Sequence, residues 1–323
     1  MKKIALRIVQ VLGALVVLAV LGIVVKFYVL SPKMHPARVV TANPTKENLE
    51  RGRYLVENVT GCLGCHSPIQ ESQPGEPPVA GKIGGGRTFN EPNFPGKLRS
   101  PNISSDKDDG IGAWTDGEIL RAMREGVSRN GRTLFPQMPY PTYAKTLSDD
   151  DALAIIAFLR TLPPVKNAGG GPTEVKFPVS MFIRGVPQPL LTAPPPAPPE
   201  SDKKARGEWL LQVASCHDCH DTFDARRQPI AGKALGGGAA YTTEKGTFYA
   251  PNISSDPASG LGAYSDADLR RVFDTGVGKA GRPLYVMPWS YYSGMTAGDK
   301  EALIFALRQQ PPVQNLVPPS VLK

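Results

Sequence analysis

The longest apolar pattern in the chain runs from Ile8 to Val25, broken only by Gln10 and preceded by Lys2, Lys3 and Arg7. It extends to Leu30 across Lys26, and a helix of that length is sufficient to cross the hydrocarbon of a bilayer. A cleavable signal peptide has a shorter apolar region that ends at a small-residue site, and Lys26-Phe27-Tyr28-Val29-Leu30 offers none. Residues 1–33 therefore read as a retained membrane anchor that meets lipid through residues 4–30. The basic residues ahead of the span put the amino terminus in the cytoplasm and all that follows on the periplasmic side of an inner membrane.

Beyond the anchor the apolar positions take a helical period in six places, three in each half of the chain. A first helix is predicted from about Lys46 to Val59 and again from about Lys203 to Ala214. A second starts at Thr115, with Glu118 at capping-box spacing, and ends near Gly126; its counterpart spans Ser265 to Gly276. The third has Ser148 or Thr296 as N-cap and stops at a Pro-Pro pair. Helices joined by long Gly/Pro-rich loops predict an all-α fold.

The two halves are copies. Pro101-Asn102-Ile103-Ser104-Ser105-Asp106 recurs letter for letter as Pro251-Asn252-Ile253-Ser254-Ser255-Asp256, and Gly110-Ile111-Gly112-Ala113-Trp114-Thr115-Asp116 returns as Gly260-Leu261-Gly262-Ala263-Tyr264-Ser265-Asp266. Arg51-Gly52 matches Arg206-Gly207, Gly84 to Gly86 matches Gly236 to Gly238, and Pro163-Pro164-Val165 matches Pro311-Pro312-Val313. Two domains, 47–165 and 201–314, are expected, with a Pro-rich linker at 166–200 and a tail at 315–323. Pro187 to Pro199 carries seven prolines, so it reads as an extended, semi-rigid spacer that sets the domain separation. Phe177, Met181, Phe182 and Ile183 precede it and are expected to pack across one domain or the interface.

The formal charge of +8 is concentrated at the anchor: five of the 37 basic residues lie in the first 33 positions, which hold no Asp or Glu. The rest of the chain carries 32 basic against 29 acidic residues and no basic stripe, which excludes a nucleic-acid-binding reading.

Cys62-Leu63-Gly64-Cys65-His66 and Cys216-His217-Asp218-Cys219-His220 use every cysteine in the chain. C-x-x-C-H is the spacing of covalent c-type haem attachment: positions i, i+3 and i+4 share one helix face, so both sulfurs meet one porphyrin edge while the imidazole reaches iron. A structural zinc site or a pair of disulfides would use similar separations, but neither needs a His directly after the second Cys, twice. Two haems, held by Cys62, Cys65 and His66 and by Cys216, Cys219 and His220, are therefore expected.

Met138-Pro139-Tyr140 aligns with Met287-Pro288-Trp289, each shortly after a Gly-Arg pair, and offers a thioether from a non-helical, Pro-bounded backbone as the sixth iron ligand. Met123, opposite Phe273 in the other copy, reads as core packing, Met295 falls at a helix start with Lys145 near the matching position, and Met34 and Met181 have no counterpart. His217 occupies a variable slot and is expected at the surface; His35 has no partner. Asn102, Asn252, Trp114, Tyr264 and Arg87 or Arg99 either donate to haem propionates or serve as loop caps and core, and the sequence leaves both open.

The run from Asn102 to Val165, with its Asn-Ile-Ser-Ser-Asp, Gly-Ile-Gly-Ala-Trp-Thr-Asp, Arg121-Ala122-Met123-Arg124-Glu125-Gly126-Val127 and Met138-Pro139-Tyr140 motifs, resembles the multihaem cytochrome c subunits of membrane-bound alcohol, aldehyde and gluconate dehydrogenases. The resemblance covers both copies. It implies class I cytochrome c domains, with His66 and Met138 on one iron and His220 and Met287 on the other, and electron transfer from a dehydrogenase towards quinone, a terminal oxidase or a soluble carrier. Such subunits often bear three haems, and this chain has two attachment motifs. The expected role is single-electron transfer with no catalysis of its own. A dihaem peroxidase needs an open iron site, which two Met ligands disfavour, whereas an anchored dihaem subunit of a haem-copper oxidase fits the same layout.

Overall fold

The computed structural model describes residues 2–70, 73, 75–89, 94–166, 173–225, 227–243 and 245–322. Helix α1 (Lys2–Val24) continues through a π-helical turn to Val29 and buries none of its residues. Lys2–Val29 is long and apolar enough to cross a membrane.

Each copy of the repeat then builds the same series of elements. Helix α2 (Lys46–Tyr54) ends in a π-helical turn over Leu55–Val59 and leads into α3 (Cys62–His66). Strands β1 (Arg87–Phe89) and β2 (Gly96–Ser100) pair antiparallel; α4 (Asp116–Glu125), α5 (Tyr140–Thr146) and α6 (Asp149–Leu159) follow, and β3 (Glu174–Val175) returns to the free edge of β2. After the short α7 (Val179–Phe182), the order recurs as α8 (Lys203–Val213), α9 (Cys216–His220), β4 (Ala240–Thr243), β5 (Gly246–Tyr249), α10 (Asp266–Thr275), α11 (Trp289–Tyr292), α12 (Ala297–Gln309) and β6 (Val321–Leu322), with β6 pairing with β5.

The all-α expectation is corrected here: the fold is mostly helical and holds two three-stranded antiparallel sheets. Their strands are two to five residues long, too short for an alternating pattern to register in the sequence. The third strand of each sheet comes from a segment expected to be linker or tail, β3 from 166–200 and β6 from 315–323. The short helices α5 and α11, directly after the Met-Pro pairs, were also not foreseen.

The six longer helices of the repeats start and stop where their caps dictate. Thr115 accepts from the Glu118 N–H and Glu118 reaches back, completing the capping box, and Ser265 with Asp268 does the same for α10. Gly126 and Gly276 end those helices in the left-handed conformation.

Helix α2 packs on α6 and α8 packs on α12, and the Arg-Gly pairs explain both crossings. A Cβ on Gly52 would lie 2.0 Å from the Ala154 carbonyl oxygen, and one on Gly207 would lie 2.1 Å from that of Ala302, so only glycine permits the approach. The adjacent arginines then fork onto an aspartate of the partner helix: Arg51 onto Asp151, with 2.8 and 3.0 Å contacts, and Arg206 onto Asp299, at 2.7 and 2.9 Å.

The hydrophobic core is continuous across the two copies. Leu55, Val59 and Ile155 of the first and Leu210, Leu303 and Tyr292 of the second belong to one cluster of buried side chains. Helix α5 touches α8, and α11 touches the π-helical turn after α2, so each copy lays its post-methionine helix on the other's first helix. Trp209 donates its indole N–H to the Thr146 carbonyl at 2.8 Å, and Tyr292 donates to the Ala214 carbonyl at 2.9 Å. Packing, rather than the proline spacer, therefore sets the distance between the copies. The spacer lies against the fold, where the Pro198 carbonyl accepts from Arg206 and Ala197 joins the core.

Candidate functional site

Each Cys-x-x-Cys-His pentapeptide forms one short helix, entered through a left-handed residue, Gly61 at φ 60° or Ser215 at φ 58°. The left-handed step turns the chain sharply out of the preceding helix, bringing the pentapeptide back over the same end of the core. Cys62 and Cys216 pack against that core.

The histidines are held identically. His66 Nδ1 lies 2.8 Å from the carbonyl oxygen of Pro101, and His220 Nδ1 lies 2.8 Å from that of Pro251. A ring nitrogen donating to a backbone carbonyl fixes the tautomer and the ring plane, and leaves Nε2 as the nitrogen with a lone pair. Burial holds both imidazoles below their ordinary pKa, which keeps them in the neutral form that metal ligation requires.

The repeated hexapeptide positions those accepting carbonyls. In the first copy Asn102 Oδ1 accepts from the Ser104 N–H at 2.8 Å, its Nδ2 donates to the Val165 carbonyl at 2.6 Å, and Ser104 Oγ accepts from the Val165 N–H at 3.0 Å. In the second, Asn252 and Ser254 make the matching contacts with Val313. The asparagines thus act as loop caps that clamp the Pro-Pro-Val segment under the His-accepting proline. Trp114 and Tyr264 are half-buried against the core, and Arg87 donates to the Gly64 carbonyl at 3.3 Å.

The backbone of each histidine is fixed too. The Gly86 N–H donates to the His66 carbonyl at 2.8 Å and the Gly237 N–H to that of His220 at 2.7 Å. This registers Gly86 with Gly237, so the two glycine triplets are displaced by one residue from the alignment read in the sequence. Leu235, at φ 57°, stands where Gly84 stands at φ 78°. Its N–H donates to Asp221 Oδ1 at 2.8 Å, as the Gly84 N–H donates to Ser67 Oγ at 2.9 Å. His217 is not simply a surface residue: its Nδ1 lies 2.8 Å from the same Asp221 oxygen.

The methionines share a local geometry. The Tyr140 N–H donates to the Met138 carbonyl and the Trp289 N–H to the Met287 carbonyl, both at 2.8 Å, across a proline at φ −79° and ψ 43° or φ −80° and ψ 50°. These are inverse γ-turns, which stiffen the backbone on which the thioether is carried. Both methionines pack half-buried against the core, whereas Met123 is fully buried in α4. Arg160 and Arg308 escaped the sequence reading. Arg160 donates to the carbonyls of Ile111 and Trp114 and to Asp116, and Arg308 does the same with Leu261, Tyr264 and Asp266, so each ties the end of its third helix to the start of the second. The signal was their matched place in the two copies, Leu159-Arg160 and Leu307-Arg308.

This environment fits haem better than the alternatives. Burial pushes the Cys62 thiol up to about 11 and the Cys216 thiol to about 12, surroundings that suit a neutral thioether and oppose the thiolates zinc needs.

Residues 49–163 form a cytochrome c domain. Residues 49–163, which include the first pentapeptide and Met138, match the cytochrome c family, whose members carry covalently bound haem c. The chain carries a cytochrome c domain and has the cytochrome subunits of dehydrogenases among its homologues. It is 34% identical over 238 residues to the gluconate 2-dehydrogenase cytochrome c subunit of Pantoea cypripedii, an alignment covering 69% of this chain and 50% of that one. It is 28% identical over 256 residues to the fructose dehydrogenase cytochrome subunit of Gluconobacter japonicus (76% and 48% covered), and 31% identical over 230 residues to the cytochrome c subunit of alcohol dehydrogenase (quinone) from Gluconobacter oxydans (68% and 45%). The chain spans about half the length of these relatives.

Proposed function

We propose that this chain is a membrane-anchored dihaem cytochrome that relays single electrons from a dehydrogenase to a terminal oxidase or a soluble carrier. Two tandem cytochrome c domains, 47–165 and 201–314 with their added third strands, each hold one haem. Cys62 and Cys65 form the thioethers of the first and Cys216 and Cys219 those of the second. His66 with Met138, and His220 with Met287, are the axial ligands. Residues 4–30 anchor the chain in the inner membrane, with both domains in the periplasm.

The observation that carries the reading is the duplicated contact of His66 with Pro101 and of His220 with Pro251. The second copy lies outside the family match, yet it reproduces the imidazole support of the first. When bound, haem iron supplies a one-electron couple; the protein supplies ligands, orientation and a dry surrounding that set the potential. The shared core supports transfer between the two sites, because α11, which follows Met287, lies on the turn that leads to Cys62. The names of the relatives support a dehydrogenase partner.

Intact mass of the mature protein tests the cofactor assignment, with polypeptide plus two haems expected and plus one haem in a Cys216→Ser/Cys219→Ser variant. Mild detergent extraction followed by identification of co-purifying chains tests the partnership, and recovery with no dehydrogenase would remove it.

A further inference from the structure

The segment expected to pack across one domain or the interface meets the end of the apolar helix. Arg184 donates from Nε to the Phe27 carbonyl at 2.6 Å and from Nη2 to the Ser31 carbonyl at 2.9 Å, clasping the carboxyl end of the apolar helix. The last carbonyls of a helix have no intrahelical donor, and where a span leaves the hydrocarbon such groups are costly to leave unpaired. The guanidinium also stacks 5.3 Å from the Tyr28 ring, while Phe182 meets Phe27 edge to face with centroids 5.5 Å apart. The segment around Arg184 is thereby fixed at the depth of the helix's last turn.

Two aromatic side chains in this segment are turned outward: Phe177 is 73% exposed and Phe182 54%. Met181, 8% exposed, fastens the same stretch to the protein. Phenylalanines held open at the mouth of a span, beside Lys176 and Arg184, match the chemistry of the membrane–water interface, where aromatic rings meet the acyl boundary and cations meet phosphate.

We propose that residues 176–186 form a second, interfacial membrane contact on the outer leaflet, continuous with the span. This rests on the reading of Lys2–Val29 as a membrane span. One helix alone leaves a domain to rotate about its axis; a second contact a few residues wide stops that rotation and presents the haem-bearing copies to membrane partners in one orientation.

The test uses the full-length, haem-loaded protein in phospholipid nanodiscs, with p-benzoylphenylalanine placed singly at positions 15, 177, 182 and 316 and irradiated. Position 15 lies within the span, and position 316 is a strongly exposed leucine in the carboxyl-terminal tail. Lipid adducts at 177 and 182 are expected at yields about tenfold above position 316, the contrast between an interfacial and an aqueous side chain. Lipid adducts at 15 but not at 177 and 182 overturn the interfacial contact, whether those positions capture protein or nothing. No lipid adduct at 15 overturns the membrane-span reading itself. An unchanged haem spectrum in each variant confirms that the fold survives the replacement.

Discussion

Tyr54 of the first copy donates its hydroxyl to Asp299 of the second at 2.5 Å, and Asp299 is the carboxylate that already holds the fork of Arg206. Asp299 is fully buried and Arg206 nearly so, whereas the equivalent Arg51 side chain keeps 30% of its surface in water. The second copy's helix crossing is thus tied to the first copy by the Tyr54 hydrogen bond, whereas the first copy's Arg51 meets the second copy through a looser contact, its guanidinium 5.9 Å from the Trp209 ring. Asp299→Ala strands a buried guanidinium and should cost about 3–5 kcal/mol, against less for Asp151→Ala, whose partner can reach solvent. Tyr54→Phe should cost about 1–2 kcal/mol and weaken the contact between copies. Guanidinium denaturation of the four proteins measures all three, and equal losses for the two aspartates would contradict the asymmetry.

The axial assignment predicts separable losses. Met138→Ala should remove the optical signature of one methionine-ligated iron and lower one midpoint potential in a redox titration, with Met287→Ala doing so for the other. Two unchanged potentials in either variant would reassign the sixth ligand.

Asp149 accepts from Arg38 at 3.0 and 2.8 Å and from Arg124 at 2.6 Å, and these guanidiniums pull its carboxyl down to about 2. A carboxylate depressed on folding stabilises fully above its unfolded pKa of about 4 and loses that contribution as pH falls towards 2. Because the side chain is 30% exposed, solvent screening holds the contribution to about 1 kcal/mol or less. Asp149→Asn should therefore be less stable than the parent at pH 7, with the gap closing between about pH 4 and pH 2. Denaturation midpoints across that range should converge; a constant gap would show that the ion pairs are not its source.

Gly64, inside the first pentapeptide, sits beneath a tyrosine of the other copy. A Cβ there would approach the Tyr291 ring and hydroxyl to 3.0–3.1 Å. Gly64→Val should displace Tyr291 and loosen the packing of α11, while leaving both thioethers in place. Intact mass should exceed the parent's only by the glycine-to-valine difference, with the haem mass retained, as stability falls by about 1–3 kcal/mol, the usual range for overpacking. Asp218, the matching residue of the second pentapeptide, should accept Asn with a smaller change.

Much of this protein was legible because its determinants are local. The six long helices of the repeats appear at the predicted positions, since Thr45, Thr115, Ser148, Asp202, Ser265 and Thr296 cap helices within three residues of themselves. The glycine register was misread by one residue because an all-glycine match looked better than one placing Leu235 in a left-handed conformation. The hydrogen bonds to His66 and His220, and the matching ones made by Gly84 and Leu235, reveal the true pairing.

The sequence by itself determined the two Cys-x-x-Cys-His pentapeptides, the helices and the duplication, because spacing, caps and periodicity act within a few residues. Tertiary structure alone decided that Glu174–Val175 and Val321–Leu322 become third strands, that one core joins the copies, and that Arg184 grips the end of the apolar helix. Each of these depends on groups far apart in the chain meeting in space. Strand edges, unpaired helix carbonyls and apolar faces accept whichever partner the packed chain brings to them, and the order of residues along the chain does not name that partner.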